Sequence, residues 1–194
     1  KNINMTKKQE ENVKIAHKGD HSPEMYDLFC QTLHKKIPPH DLERMGASHL
    51  NALNARLWAC LCAPHPEDRA YIEIKNVEKL FQSSVKYNEK NAADSTQILI
   101  WNRDRAFLLD STLAHLKSLG LTPELVVHPI FQVDRNAQGI FEGLGEKTTQ
   151  KRLQTESLIF ILLKEQLTNA KRQELEKELQ DIFTDVRSVV DDWS

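Results

Sequence analysis

Hydrophobic and polar residues between positions 96 and 133 follow first a strand period, then a helix period, then a strand period again. Residues 98–101 form a short apolar run of β-branched and aromatic residues, which favours a strand. The next apolar positions recur at helical spacing and predict one buried face, at Phe107, Leu108, Thr112, Leu113, Leu116 and Leu119. Residues 125–133 are again β-rich, so the middle of the chain predicts a strand, a helix and a strand.

Three residues mark the ends of this predicted helix. Asp104 is predicted to be its N-cap, because a carboxylate there accepts hydrogen bonds from the free N–H groups of the first turn. Gly120 is predicted to end the helix in a left-handed conformation, which costs glycine little, and Pro123 prevents the helix from resuming.

The C-terminal third predicts a hairpin, a buried strand and a long helix. Residues 134–139 have turn composition and residues 140–141 extend the hairpin, before a polar loop at residues 143–154. Residues 157–163 predict a strand that is apolar on both faces, with Leu158, Phe160 and Leu162 on one face and Ile159, Ile161 and Leu163 on the other. Thr168 is predicted to cap a last helix that buries Leu175, Leu179, Ile182, Val186, Val189 and Trp193.

The N-terminal part predicts helices before the first strand. Residues 1–21 are polar with little periodicity, and we expect them to be loose or disordered. Ser22 and Pro23 predict the start of one helix, and Gly46 predicts a break before a second helix that ends before Pro64. Residues 71–74 alternate like a half-buried strand, and residues 76–95 predict a long polar connection.

From Thr96 onward the predicted order is β-α-β-β-α, which is the ferredoxin-like order without its last strand. Residues 98–101 and 157–163 are then neighbouring central strands, residues 71–74 fill the vacant slot, and the strand containing Pro129 lies at an edge. We predict an α+β antiparallel sheet with two helices on one face. A helical subdomain at residues 22–66 precedes an α+β domain at residues 67–194, and either this subdomain or another domain covers the second face.

Composition adds few constraints. Hydrophobic residues make up 40% of the 194-residue chain, and its net charge of −2 gives no reason to expect a nucleic acid or an anionic membrane as a partner. No apolar run approaches the roughly 20 residues of a membrane span, and there is no signal-peptide pattern. The three cysteines fit a reducing compartment, so we expect a cytoplasmic protein. Because the chain begins at Lys1 without a methionine, we expect a fragment.

A family resemblance rests on three stretches: ILIWNRDRAFLLDSTLAHLKSLGLTPELVVHPIFQVDRNAQG, then ESLIFILL, then a helix ending in DVRSVVDDW. Over residues 24–193 the chain resembles the N-terminal ACT-like domain of the large bacterial NAD-dependent glutamate dehydrogenases. The family motif reads acidic-acidic-Met-Pro-Phe-Leu-Val-Asp-Ser. Its second half matches residues 107–111, whereas Arg103, Arg105 and Ala106 depart from its first half.

The resemblance implies an ACT-like fold, and it implies that this domain and the catalytic domains of the parent enzyme have separate functions. The parent enzyme would oxidise glutamate to 2-oxoglutarate and ammonia with NAD, and its catalytic and dinucleotide-binding domains would lie elsewhere in a longer chain. This fragment would be a non-catalytic regulatory or assembly domain with no cofactor of its own. Its expected partners are the other domains of that chain, further copies in a homo-oligomer, and a small amino-acid effector.

The resemblance also places a candidate ligand site where the first strand meets the first helix of the ACT-like unit. The predicted ligand-binding residues are Asn102, Arg103, Asp104, Arg105, Phe107, Asp110 and Ser111. Free N–H groups and arginines there would favour a carboxylate. In the alternative interpretation Asp104 is only a cap, the arginines are solvated, and Asp110 and Ser111 bond to nearby backbone.

Other reactive side chains have weaker functional interpretations. A metal site is one interpretation of Cys60, Cys62 and His65. However, the cysteines point to different helix faces, and no second ligand pair has zinc spacing. His128 has no paired acid or nucleophile in the sequence, so we interpret it as a packing residue. We therefore predict no catalytic and no metal site.

Two other functions stay open at this point. The chain could be a free-standing ACT protein that senses amino acids, or an interaction scaffold without a ligand.

Overall fold

The computed structural model describes residues 22–65, 69–77, 95–145 and 153–191. In these ranges the helices are α1 Pro23–His34, α2 Pro39–Cys62, α3 Leu108–Ser118 and α4 Asn169–Asp191. The strands are β1 Tyr71–Val77, β2 Ser95–Arg103, β3 Pro123–Val127, β4 Ile130–Arg135, β5 Phe141–Leu144 and β6 Leu153–Leu163. The predicted loose segment at residues 1–21 lies outside the described residues, as does most of the predicted connection at residues 76–95.

The six strands form one antiparallel sheet with the order β1-β2-β6-β4-β5, and β3 pairs with β6 as well. Ile98 of β2 lies opposite Ile161 of β6, so the two predicted central strands are neighbours. Ile74 of β1 lies opposite Ile98 on the other side. The predicted ferredoxin-like arrangement, with residues 71–74 in the vacant slot, is therefore confirmed.

Pro129 divides the predicted strand at residues 125–133 into β3 and β4, which pair in turn with β6. Proline has no N–H group for the ladder, and its carbonyl instead accepts a hydrogen bond from the Leu158 N–H at 3.1 Å. The prediction that this strand lies at an edge is wrong for β4, because β5 pairs with it on the outer side. The Asn136 side chain accepts from the N–H groups of Gln138 and Ile140 and so turns the chain into β5.

The central strands bury side chains on both faces, as predicted. One face packs under α3 and α4 and includes Ile98, Ile100, Ile159, Ile161 and Leu163. The other face packs under α1 and α2 and includes Leu99, Trp101, Leu158, Phe160 and Leu162. The N-terminal helices are therefore the layer that covers the second face.

Helices α1 and α2 reach the sheet through aromatic side chains. Ser22 caps α1 by accepting from the Met25 N–H, and Gly46 breaks the helical path inside α2 with a φ of 71°. The Phe29 ring stacks on Phe131 at 5.3 Å between centroids, and Trp58 meets Phe141 edge-on at 5.7 Å. These rings belong to the same buried cluster as Phe160.

Helix α3 ends as predicted. Gly120 has a φ of 71°, its N–H donates to the Lys117 carbonyl, and the Leu121 N–H donates to the Leu116 carbonyl. This pair of bonds satisfies carbonyls that would otherwise lack partners at the helix end.

Two predictions for the C-terminal third need correction. In α4 the buried residues are Leu175, Leu179 and Phe183, whereas Ile182 and Val186 are only partly buried; the side chains of Val189 and Trp193 lie outside the described residues. Phe183 follows Leu179 by four residues, as Leu179 follows Leu175, and lies on the same buried face of α4. The predicted spacing had placed Ile182 on that face instead. The predicted loop at residues 143–154 is shorter, because β5 includes Gly143 and β6 starts at Leu153.

None of the helices in the described part of the chain is long and apolar enough to cross a membrane.

Candidate functional site

The chain turns sharply between β2 and α3. The Asp104 N–H donates to the Thr155 carbonyl at 2.8 Å, so the β2–β6 pairing runs on into this loop. The N-cap of α3 is Phe107, which has a φ of 69°, and no side chain caps the helix. The prediction that Asp104 is the N-cap is therefore wrong.

The prediction that Phe107 belongs to the buried face of α3 is also wrong, because its side chain is 67% exposed. The buried residues of α3 are Leu108, Thr112 and Leu116. A left-handed conformation costs a residue with a Cβ about 1–2 kcal/mol. The chain accepts this strain at Phe107, where the backbone reverses from the strand into the helix.

Three of the predicted ligand residues meet in one groove. Asn102, Arg103 and Arg105 line an open cleft of about 350 Å³, a volume that includes open solvent. Arg69 lies two residues before β1, and the outer wall comes from Gln180, Thr184 and Arg187 of α4. We call this cleft the arginine groove. The loop after β2 reaches it because β2 pairs with β1, and α4 packs across that end of the sheet.

Arginine is the most frequent residue in the lining of the arginine groove. Four arginines line it, and three of them, Arg103, Arg105 and Arg187, already interact with other groups of the protein. Gln180 ties the two walls together, because its Nε2 donates to the Ala70 carbonyl at 2.9 Å. Arginine forks fit carboxylate and phosphate oxygens, so these are the ligand groups that arginines in such a groove recognise.

The other four predicted residues do not line the arginine groove. The charges of Asp104 and Asp110 act on His128, whose pKa is nevertheless lowered, first of all by burial. Ser111 lies in the first turn of α3, where its N–H donates to the Phe107 carbonyl. Whether these seven residues bind a ligand stays a prediction, but the structure brings only Asn102, Arg103 and Arg105 together in the groove.

A buried ion pair near the arginine groove was not predicted from the sequence. Arg135 Nε lies 2.6 Å from Glu156 Oε1, and Arg135 Nη2 lies 2.9 Å from Glu156 Oε2. The two side chains are only 3% and 4% exposed. Charges this deep in a protein persist when they are paired and fully hydrogen-bonded.

Both partners of this pair are fully hydrogen-bonded. Arg135 also donates to the carbonyls of Leu61, Ala63 and Gly139, at 2.8 to 3.1 Å. Glu156 also accepts from Gln154 Nε2 at 2.8 Å and from the indole N–H of Trp101. The pair thus fastens the end of α2 and the β4–β5 hairpin to the central strands.

His65 completes this buried cluster. Its ring stacks on Trp101 at 6.0 Å between centroids with an interplanar angle of 13°. Because its Nε2 lies 2.8 Å from the Cys60 carbonyl, this nitrogen must carry the proton. Burial lowers the pKa of His65, so the ring is neutral near pH 7.

The cysteines that invited a metal interpretation lie in the same region. Burial raises the pKa of both Cys60 and Cys62 to about 12, which suppresses the thiolate that a metal would need. Within the described ranges, no group of three or more His, Cys, Asp or Glu side chains could hold a metal ion.

The single antiparallel sheet with helices on both faces defines the class of protein: an α+β, ACT-like domain with an arginine-lined groove. The family model described as "Glutamate dehydrogenase, ACT1 domain" matches residues 29–179, which is more than half of the chain. The chain therefore belongs to the glutamate dehydrogenase ACT1 domain family, as the sequence resemblance indicated. A comparison with curated proteins found no match, and a comparison with solved structures found none either.

The buried ion pair predicts a large effect of one isosteric substitution. Glu156→Gln should lower the free energy of unfolding by about 3–5 kcal/mol, because it leaves the Arg135 guanidinium buried without a counter-charge. Urea denaturation measures the change. Glu178→Gln is the matched control, because Glu178 is a partly exposed carboxylate that bonds His115, and its loss should stay below about 1 kcal/mol. Similar losses in the two variants would contradict a structural role for the pair.

The burial of His65 predicts that the free energy of unfolding depends on pH. The pKa of His65 is lowered from 6.5 in the folded state, so below about pH 6.5 the unfolded chain binds a proton that the folded chain does not. The free energy of unfolding should therefore fall as the pH drops below about 6.5. His65→Gln should make that fall shallower, and His128 should account for part of what remains. An unchanged slope in urea titrations of His65→Gln would contradict this assignment.

Proposed function

We propose that this chain is the regulatory domain of an NAD-dependent glutamate dehydrogenase. The parent enzyme would convert L-glutamate and NAD to 2-oxoglutarate, ammonia and NADH. The match of residues 29–179 to the glutamate dehydrogenase ACT1 domain is the observation that carries this proposal. The dependence on NAD comes from the sequence resemblance to the large bacterial enzymes.

A regulatory rather than catalytic role is supported by how the buried polar groups are used. Arg135 and Glu156 bond to each other and to neighbouring backbone and side chains. His65 Nε2–H donates a hydrogen bond to the Cys60 carbonyl, and the pKa of Cys60 is far above neutrality. These groups hold the layers together, and none is poised for proton transfer or nucleophilic attack at pH 7.

The regulatory signal would be a small carboxylate effector, with amino acids as the first candidates. The arginine groove supports this part of the proposal, because it contains Asn102, Arg103 and Arg105 from the predicted site. The groove joins the sheet to the second half of α4, so a bound effector would change how firmly this helix is held.

Assembly is the other part of the proposal. We propose that the domain contacts other domains of a longer cytoplasmic chain and takes part in a homo-oligomer. Phe107, Leu119 and Ile130 are exposed apolar side chains that are available for such contacts. Cys30, Cys60 and Cys62 are all free thiols, which supports a reducing compartment.

The test compares three proteins: the 194-residue chain alone, the product of the full reading frame, and that product without residues 1–194. The chain alone should not reduce NAD with glutamate. The full product should reduce NAD in preference to NADP, and the truncated product should keep turnover but lose its response to amino-acid effectors. NADH absorbance follows all three reactions.

Two outcomes would contradict the proposal. Turnover by the chain alone would refute the non-catalytic role, and an unchanged effector response after truncation would refute the regulatory role. A reading frame without any downstream enzyme domain would favour the free-standing amino-acid sensor instead.

A further inference from the structure

We propose that a cleft between the end of α3 and the first half of α4 binds a free amino acid with an apolar side chain. The cleft has a volume of about 480 Å³, which includes open solvent, and this is within the size range of small-molecule sites. Its described lining shares no residue with that of the arginine groove, so it is a separate site. The inference rests on the proposed function only for what the amino acid would control, because binding is a property of the 194-residue chain.

The inside of this cleft is apolar, and we call it the leucine cleft. Its four leucines are Leu119 and Leu121 after α3, Leu167 before α4, and Leu175 within α4. Leu167 and Leu175 are buried in the core, whereas Leu119 is 46% exposed at the rim. An apolar side chain that enters the cleft would remove more of Leu119 from water, and the burial of apolar surface is favourable.

Hydrogen bonds hold both sides of the leucine cleft in place. On the α3 side, the bonded turn that ends this helix fixes the backbone of Leu121. On the other side, the Leu167 N–H donates to Thr96 Oγ1 at 2.9 Å. The Leu167 carbonyl accepts from Asn76 Nδ2 at 2.9 Å and from Arg172 Nη1 at 2.7 Å. A site that is already formed loses less conformational entropy when a ligand binds.

The rim of the leucine cleft carries charges of both signs. Lys171, Glu174 and Glu178 lie on one face of α4, because they are spaced by three and four residues. Lys171 and Glu174 are separated by about 4.5 Å along the helix axis. His115 positions the Glu178 carboxylate, since its Nε2 lies 2.9 Å from Glu178 Oε2. One turn of helix thus presents an ammonium group and a carboxylate at the mouth of an apolar cleft.

These groups match the three parts of an apolar amino acid. The α-carboxylate would pair with Lys171, the α-ammonium group would pair with Glu174, and the side chain would lie against the leucines. Both charges of an α-amino acid are attached to its α-carbon, so a single helical turn can bind them together. An exposed ion pair between Lys171 and Glu174 themselves would add little stability, so a ligand can replace it.

Ligands with only one of the two charges match the rim less well. The carboxylate of a fatty acid would lie near Glu174 and Glu178 as well as Lys171, and like charges at close range repel. The ammonium group of an alkylamine would pair with a glutamate but leave Lys171 without a counter-charge from the ligand. A zwitterion with an apolar side chain is therefore the class of ligand that the leucine cleft fits best.

The test is isothermal titration calorimetry of the 194-residue chain with L-leucine and three analogues. Glycine lacks the side chain, 4-methylpentanoate lacks the ammonium group, and 3-methylbutylamine lacks the carboxylate. We expect saturable binding of leucine, and binding at least about tenfold weaker for each analogue, because each loses one of the three contacts. No saturable heat with leucine, or equal affinity for any analogue, would overturn the proposal.

Variants determine whether leucine binds in this cleft. Lys171→Gln and Glu174→Gln should each weaken leucine binding about tenfold, because each removes a charge-assisted hydrogen bond. Glu176→Gln and Lys177→Gln are the matched controls, because they remove exposed charges of the same helix outside the cleft and should leave the affinity unchanged. Circular dichroism checks that each variant is folded. Undiminished affinity in folded Lys171→Gln and Glu174→Gln would refute the assignment of the site.

A second copy of the chain is the other occupant to test, because Leu119 is exposed at the rim. Sedimentation velocity compares the unchanged chain with Leu119→Ser, with and without leucine. A monomer that binds leucine supports the proposal, whereas a dimer that Leu119→Ser dissociates and leucine does not would contradict it. The regulatory role is tested separately, by truncation of the parent enzyme, so the two failures are distinguishable.

Discussion

Apolar side chains on both faces of β2 and β6 set the constraint on which the rest of the structure depends. Leu99 and Phe160 point to one face of the sheet and Ile98 and Ile161 to the other, and all four are almost completely buried. A sheet with such central strands must have other elements packed against both of its faces. Helices α3 and α4 form one cover, and α1 and α2 form the other, so every described helix lies where these two strands require it.

The packing of helices on both faces of the sheet also determines which polar groups are needed at one end of it. Where α2 ends against the sheet, backbone carbonyls of Leu61 and Ala63 would be buried without donors, and Arg135 supplies the donors. Glu156 then balances the charge of Arg135. Further toward the surface, the start of β1, the end of β2 and α4 meet, and there the arginines line an open groove. The same architecture thus places a buried ion pair and an arginine-lined surface groove side by side.

Local patterns predicted the fold well and the site only in part. Alternation identified both faces of residues 157–163, and Gly120 identified the end of α3, because each signal depends on neighbours in sequence. The Arg135–Glu156 pair and the contribution of Arg69 and Arg187 depend on residues far apart in the chain, and no spacing reveals them. Asp104 failed as a cap because its N–H donates to the Thr155 carbonyl of β6, so the chain is still paired with the sheet at this residue, and α3 begins only at Leu108. The sequence shows the proline at position 129, but it does not show that β4 after this proline would pair with β5 on its outer side.

The central claim is that α1 and α2 fold as one unit with the sheet they cover, and hydrogen exchange by mass spectrometry tests it most directly. The amide protection of peptides from α2 and from β6 is followed as the urea concentration rises. Both peptides should lose protection at the same urea concentration, because the Phe160 face cannot stay buried without the helices. Loss of protection in α2 at a clearly lower concentration, while β6 stays protected, would contradict it.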